Sequence, residues 1–249
     1  MISIKTSEQI EKIRTASKVL AQGLEILKQM IKPGVNCLEL DQVFQDFITS
    51  KNCQSNFKGY HGFPKTICIS INEQLVHGIP QNRVLQNGDI VSIDAGCTYQ
   101  GWHADSAFTV VCGIAKNPKN DILISVTEKA LELAIEQVKP GTRLGTIGFT
   151  IQRFVESFGF FIPRDYTGHG IGRALHEDPF IPNYGVENTG IRLQAGMVIC
   201  IEPMVQMGTD KTKVLDDKWT VYSADHSMAA HFEHTILVTE TGCEVLTKL

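Results

Sequence analysis

The 249-residue, 27.6 kDa chain is long enough for one large domain or two small ones, and 43% hydrophobic with 20% charged residues is ordinary for a soluble globular protein. A net charge of -4 and an isoelectric point near 6.1 leave no basic footprint, which argues against nucleic acid as a specific partner. Seven cysteines at 37, 53, 68, 97, 112, 200 and 243 are odd in number with no C-x-x-C spacing, so neither a disulfide framework nor a zinc ribbon is suggested and a reducing compartment fits.

In chain order, Met1 to Arg14 carries Glu8 and Glu11 and lacks the apolar core of a signal peptide. No apolar run is long enough to span a membrane, so the expectation is a cytoplasmic protein. Ile10, Ile13, Ala16, Leu20, Leu24, Leu27 and Ile31 recur at steps of three and four and line one helix face. Thr6 and Gln9 form a capping-box pattern at its start, and Lys32-Pro33-Gly34 stops it. A second amphipathic helix is predicted over Leu38 to Phe47, then strands over 67–71, 90–94 and 107–111. The plan then repeats: a helix over Glu128 to Val138 stopped by Lys139-Pro140-Gly141, and another over Ile147 to Phe158.

The repeat is visible residue by residue. Leu85-Gln86-Asn87-Gly88-Asp89-Ile90-Val91-Ser92-Ile93-Asp94 aligns without gaps on Leu193-Gln194-Ala195-Gly196-Met197-Val198-Ile199-Cys200-Ile201-Glu202, and each segment ends in a carboxylate. This offset of 108 residues agrees with the 107 between the two Pro-Gly stops at Pro33 and Pro140. Ala104-Asp105-Ser106-Ala107-Phe108 is similar to Phe232-Glu233-His234-Thr235-Ile236 at an offset of 128, which places about twenty extra residues in the second half, within 208–228. The expectation is one catalytic α+β domain over 1–249, with halves of about 1–120 and 121–249 related by a pseudo-twofold axis.

Asp94 and Glu202 follow apolar strand runs, where a carboxylate is costly to bury unless something positive neutralises it. No Lys or Arg lies within three residues of Asp94, Asp105, Glu202 or Glu233. Any one of these acids alone reads as a solvated loop-end residue, but four in related strand positions call for metal cations. His169 stands between Gly168 and Gly170, a pattern that suggests a turn presenting a ring nitrogen. Gly168 to Gly172 is not a G-x-G-x-x-G opening a helix, His176-Glu177-Asp178-Pro179 is not H-E-x-x-H, and no G-x-S-x-G nucleophile elbow occurs. Oxygen donors with one imidazole suit two divalent ions of Mn²⁺, Fe²⁺ or Co²⁺, with Zn²⁺ also admissible. Such a pair acidifies a water for hydrolysis.

Tyr166-Thr167-Gly168-His169-Gly170-Ile171-Gly172-Arg173-Ala174-Leu175-His176, running on to Ile181-Pro182-Asn183-Tyr184, resembles the signature of type I methionine aminopeptidases of the short bacterial form. Tyr60-His61-Gly62-Phe63-Pro64, Ser70-Ile71-Asn72-Glu73, His77-Gly78-Ile79-Pro80, Ile201-Glu202-Pro203 and Glu233-His234-Thr235 extend the resemblance over nearly the whole chain. It implies the pita-bread α+β fold, with two pseudo-twofold halves around a central antiparallel sheet. It also implies removal of the initiator methionine from nascent polypeptides whose second residue is small and uncharged. By that resemblance Asp94, Asp105, His169, Glu202 and Glu233 hold the metals, with Asp105 and Glu233 bridging. Glu202 moves the proton, His77 and His176 bind the scissile peptide, and Phe57, Tyr60, Phe63, Cys68 and Trp219 form the methionine pocket.

The resemblance also implies a monomer, and a transient ribosome contact fits the role although no basic stripe supports it. Leu175 stands where bacterial relatives usually carry an aromatic. Ala229-Ala230-His231-Phe232 replaces a stretch that usually begins with Ser and carries Gln, which weakens a monovalent-cation site near Asn72, and Ala104 replaces a common Gly. A prolidase would share fold and ligands but usually adds an N-terminal domain, and a non-catalytic binding module usually loses ligands that are intact here.

Overall fold

The computed structural model describes residues 2–249. Helix α1 spans Ser7–Met30 and α2 spans Cys37–Ser50. The Thr6 and Gln9 side chains cap the first reciprocally, and Asn36 caps the second by accepting from the Leu38 N–H. Strands β1 (Gln54–Ser55), β2 (Ile67–Ile71), β3 (Gln74–Val76), β4 (Ile90–Tyr99) and β5 (Trp102–Val111) complete the first half. The second opens with α3 (Pro118–Glu136) and α4 (Leu144–Ser157), followed by β6 (Thr167–Gly170), β7 (Glu177–Pro182), β8 (Val198–Ile201) and β9 (Met204–Gln206). It closes with β10 (Thr212–Val214), β11 (Val221–Ser223), β12 (Ala229–His231), β13 (His234–Val238) and β14 (Cys243–Val245).

The predicted helices and strands all form, with longer bounds in places. Helix α3 starts ten residues before the expected Glu128, because Asn117 caps it and Pro118 fits the first helical turn. Strands β4 and β5 run on through Asp94 and Asp105 to a tight turn at Gln100 and Gly101, so both acids lie inside strands. His169 also sits in a strand, β6, rather than in a turn. Its flanking glycines serve close packing: a Cβ at Gly168 would lie 2.3 Å from the Cys200 carbonyl, and one at Gly170 would lie 2.2 Å from that of Asp178.

In the first half β2 and β5 flank β4; in the second β6 and β13 flank β8. Residues from α1, α2, β2 and β4 share one apolar core, and residues from α3, α4, β8 and β13 share another. The halves reproduce each other down to single hydrogen bonds. Gly34 N–H donates to Leu85 O, and Gly141 N–H to Leu193 O, both at 2.9 Å. Leu85 N–H donates to Val35 O, and Leu193 N–H to Thr142 O, both at 2.8 Å.

The outer strands of each pair carry a different offset. Gly88 N–H reaches Cys112 O as Gly196 N–H reaches Val238 O, which relates β5 to β13 by 126 residues (112 to 238) while β4 and β8 keep 108 (88 to 196). Gly96 pairs with Asp105 and Met204 with His231 in the same relation. The sequence match of Asp105 with Glu233 is therefore two residues out of register. The counterpart of Asp105 is His231, and the counterpart of Glu233 is Ala107.

Contacts across the junction obey the same symmetry. Ala107 and Glu233 exchange backbone hydrogen bonds with each other, as two equivalent residues beside a twofold axis must. On either side, Thr109 Oγ1 donates to His231 O at 2.7 Å and accepts from His231 N–H at 3.0 Å. Thr235 Oγ1 makes the same pair of bonds, at the same distances, with Asp105. The extra residues of the second half form the β10–β11 hairpin, which pairs with β3 and carries Trp219.

Candidate metal centre

Asp94, Asp105, His169, Glu202 and Glu233 converge where β4, β5, β6, β8 and β13 meet. Together with His77, His176, Phe57, Tyr60, Phe63, Cys68 and Trp219 they line one cavity of about 150 Å³, and Leu175 completes its wall. Asp105, His169 and Glu233 are buried, while Asp94 and Glu202 are half-buried. His169 Nε2 lies 3.6 Å from Glu202 Oε1, 3.9 Å from Glu233 Oε1 and 4.0 Å from Asp105 Oδ2. Asp94, Asp105 and Glu233 each offer an oxygen within 4.8 Å of the others.

Among the described residues, no Lys or Arg pairs with these four acids. Burial raises Asp94 to about 6 and pushes Asp105, Glu202 and Glu233 well above the usual carboxylate range. Repulsion adds to burial at the last three: from Glu233, Asp94 and Glu202 on Asp105, from Asp94 on Glu202, and from Glu202 and Asp94 on Glu233. Asp94 Oδ1 and Glu233 Oε1 are buried without a hydrogen-bond partner. Such groups are costly in a protein interior unless a cation meets them, so the donor set fits divalent metal ions.

The imidazoles respond oppositely. Burial, aided by His176, lowers His169 to about 3, so its contacts with the acids are not ion pairs near neutral pH. Its Nδ1 lies 2.9 Å from Gly170 O, which places the ring proton there and leaves the Nε2 lone pair facing the carboxylates. Burial, with His231 and His176 nearby, lowers His77 to about 4, and burial also lowers His176 and His231.

Above the acids, the His169 and His176 rings meet edge-on with centroids 4.4 Å apart. Tyr60 Oη is 2.8 Å from His176 Nδ1, a link across 116 positions in the chain that no local sequence pattern marks. His77 enters from a left-handed backbone position, φ 58°, which β-strand propensity does not foretell. Cys68 pairs with Asp94 across β2 and β4, so both face the cavity. Phe57 packs edge-on against Phe63 at 6.5 Å, and Phe63 against Trp219 at 5.1 Å. Leu175 packs in this same apolar cluster.

Two sequence departures acquire a structural setting. Asn72 spends its side chain on Ile90 N–H and Asp89, and its carbonyl accepts from Ala229 N–H. His231, two residues before Glu233, is fully buried with Nε2 only 3.5 Å from Glu202 Oε2. The substitution is visible in the sequence, but the shifted strand register is what brings His231 into the site.

The chain is 74% identical over 248 residues to the methionine aminopeptidase of Mycoplasma capricolum subsp. capricolum, covering 100% of this chain and 99% of that protein. It is 48% identical to methionine aminopeptidase 1 of Bacillus subtilis, with 100% of both chains covered. The crystal structure of methionine aminopeptidase from Thermotoga maritima superposes with a TM-score of 0.98 at 45% identity, over 100% of both chains. Residues 11–240 match the model of metallopeptidase family M24. With a five-donor site between two matched half-sheets and these relatives over its full length, the chain belongs to metallopeptidase family M24, among the methionine aminopeptidases.

Proposed function

We propose that this chain removes the initiator methionine from nascent polypeptides whose second residue is small and uncharged, acting as a cytoplasmic monomer on N-termini emerging at the ribosome. The observation that carries the reading is the convergence of four carboxylates and one neutral imidazole at the floor of a cavity walled by aromatic and sulfur groups. Asp94, Asp105, His169, Glu202 and Glu233 would hold two divalent ions, with Fe²⁺, Mn²⁺ and Co²⁺ suited to the donors and Zn²⁺ admissible. Bound ions supply Lewis acidity and an acidified water.

The remaining chemistry belongs to the side chains. Glu202 accepts the proton of the attacking water on a carboxylate oxygen and returns it to the leaving amine. Tyr60 Oη lies 2.8 Å from Nδ1 of the neutral His176 ring; with the hydroxyl as donor, the ring proton stays on Nε2 and is available to the developing oxyanion. His77, neutral for the same reason of burial, offers a second N–H to the scissile peptide. Phe57, Tyr60, Phe63, Cys68, Leu175 and Trp219 enclose a flexible thioether side chain with polarisable contacts. The free amine of the substrate is received on the Asp94 side, where no second chain segment needs room, which makes an exopeptidase.

Metal-free protein resupplied with Mn²⁺, Co²⁺ or Fe²⁺ should release methionine from Met-Ala-Ser and leave Met-Lys-Ser largely intact. No release with any metal would sink the enzyme reading, and preference for Xaa-Pro dipeptides would make the protein a prolidase instead.

A further inference from the structure

Five residues account for the family's metal donors, yet the structure brings a sixth donor to them. His231 ends β12, and its Nε2 stands 3.5 Å from Glu202 Oε2 while His169 Nε2 stands 3.6 Å from Glu202 Oε1. Glu202 is thus flanked by two imidazoles, one at each oxygen. His231 is 2% exposed, and its Nε2 has no hydrogen-bond partner. Its backbone N–H and carbonyl are both taken by Thr109 Oγ1, so nothing in the strand requires an imidazole at this place.

The symmetry of the fold gives the position its meaning. His231 is the counterpart of Asp105: each is tied through its backbone to a threonine of the opposite half, and each stands opposite the residue two beyond the matched acid, Gly96 or Met204. Asp105 approaches Asp94 from one side of the axis, and His231 approaches Glu202 from the other. The first half thus offers donors at two of its three matched positions, and the second offers them at all three.

The distances suit ligation. His231 Nε2 and oxygens of Glu202 and Glu233 lie within 4.8 Å of one another. Ligand atoms about 2.0–2.2 Å from a shared ion stand up to roughly 4.4 Å apart, so a small inward shift closes the set. Both neighbouring strands are hydrogen-bonded, and the donor needs only side-chain adjustment.

We propose that His231 is a sixth protein ligand of the metal centre, acting through Nε2 beside Glu202 and Glu233. A second imidazole makes the site softer than an oxygen-dominated one and moves its preference from Mn²⁺ towards Co²⁺ and Zn²⁺. The proposal rests on the metal-hydrolase reading above and adds a donor to it.

The test uses the metal-free full chain with ¹⁵N-labelled histidine rings, titrated with Zn²⁺ to two equivalents. Two histidines, His169 and His231, should acquire metal-bound Nε2 signals. In calorimetry, His231→Gln should weaken one binding event at least tenfold and narrow the preference for Zn²⁺ over Mn²⁺, while His169 still shifts. If only His169 shifts in the unaltered protein, His231 is not a ligand, whatever the variant does. Binding of both ions by His231→Gln within twofold of the unaltered protein also overturns the proposal. Absence of any Zn²⁺ binding would instead bring down the metal-hydrolase reading on which it stands.

Discussion

The two halves of this molecule share helices, turns and many matched hydrogen bonds, but they differ at the three matched positions that face the axis. The first half carries Asp94, Asp105 and Ala107; the second carries Glu202, His231 and Glu233. Backbone repetition supplies a symmetric frame, and side-chain difference supplies the chemistry. Ala107 and Glu233 face each other across the axis through exchanged backbone bonds. Two glutamates there would set like charges side by side in a buried space, so a small residue in one half makes room for the acid of the other. Glu202 lies just past the end of β8, before Pro203 interrupts the strand, and its longer side chain reaches a centre that Asp94 meets from within β4.

The asymmetry predicts its largest effect at Glu202. Glu202→Gln should lower turnover of Met-Ala-Ser by about 10²–10⁴-fold, the usual contribution of a positioned general base. Asp94→Asn should instead act mainly through metal binding, so raising the metal concentration should restore more of its activity than of that of Glu202→Gln, whose lost proton transfer metal does not replace. Equal rescue of both would show that the matched acids have equivalent roles. Metal-free Glu202→Gln should unfold at the same temperature as the parent or a higher one, because it removes a carboxyl that burial disfavours in its charged form.

The symmetric frame makes a complementary prediction. Thr109→Val and Thr235→Val each strand a buried N–H and a buried carbonyl of the opposite half, and each also loses a polar neighbour, Ser92 or its counterpart Cys200. Each should cost about 2–4 kcal/mol in urea unfolding, and the two should agree within about 1 kcal/mol. Activity should fall further with Thr235→Val, which releases Asp105. Unequal stability losses would mean that the matched hydrogen bonds do not carry matched energy.

Much of this plan was legible in the sequence, and the parts that were not share a physical cause. Helix α1 announces itself by period and, like α3, by a Pro-Gly stop, and the 108-residue offset of Asp94 and Glu202 survives in apolar strands whose residues the core constrains. The second offset was misread by two residues. In a strand, a shift of two keeps every side chain on its own face, so hydrophobic alternation cannot detect it. Hydrogen bonds such as those of Gly88 and Gly196 to Cys112 and Val238 reveal the register, and with it the place of His231. The Tyr60–His176 contact and the seating of Trp219 on a hairpin likewise depend on distant segments meeting, which no local pattern records.

Metal should reverse the pH response of the fold. In the metal-free protein the histidines His77 and His169, held below their usual 6.5, contribute stability that is complete above pH 6.5 and lost as pH falls below it. The raised carboxyls act in the opposite sense: the stability they contribute is present below pH 4 and lost as pH rises through about 6 for Asp94 and further for Asp105, Glu202 and Glu233. The two sets offset each other between pH 4 and 6.5, and above that only the carboxyl loss continues. Melting temperature of the metal-free protein should therefore decline from pH 6.5 to 8.5. Divalent metal prefers the ionised donors and should add about 2.7 kcal/mol at a hundredfold excess over Kd, with the gain growing with pH. Parallel melting profiles with and without metal would contradict this assignment of buried charge.

The smallest predicted effect separates the floor of the cavity, where the acids converge, from the loop that carries Tyr60. Tyr60→Phe keeps the ring that lines the cavity and removes only the hydroxyl that meets His176 Nδ1. One such hydrogen bond contributes about 0.5–1.5 kcal/mol, so kcat/KM should fall roughly 2- to 13-fold. If Tyr60 fixes the His176 tautomer, the loss should be in kcat, because the Nε2 proton is needed when negative charge develops on the carbonyl oxygen. Calorimetric binding of Zn²⁺ should be unchanged, since Tyr60 touches no metal donor. A rise in KM with kcat intact would make Tyr60 a wall of the pocket alone, and a change in metal affinity would tie the loop to the metal floor through the edge-on His176 and His169 rings.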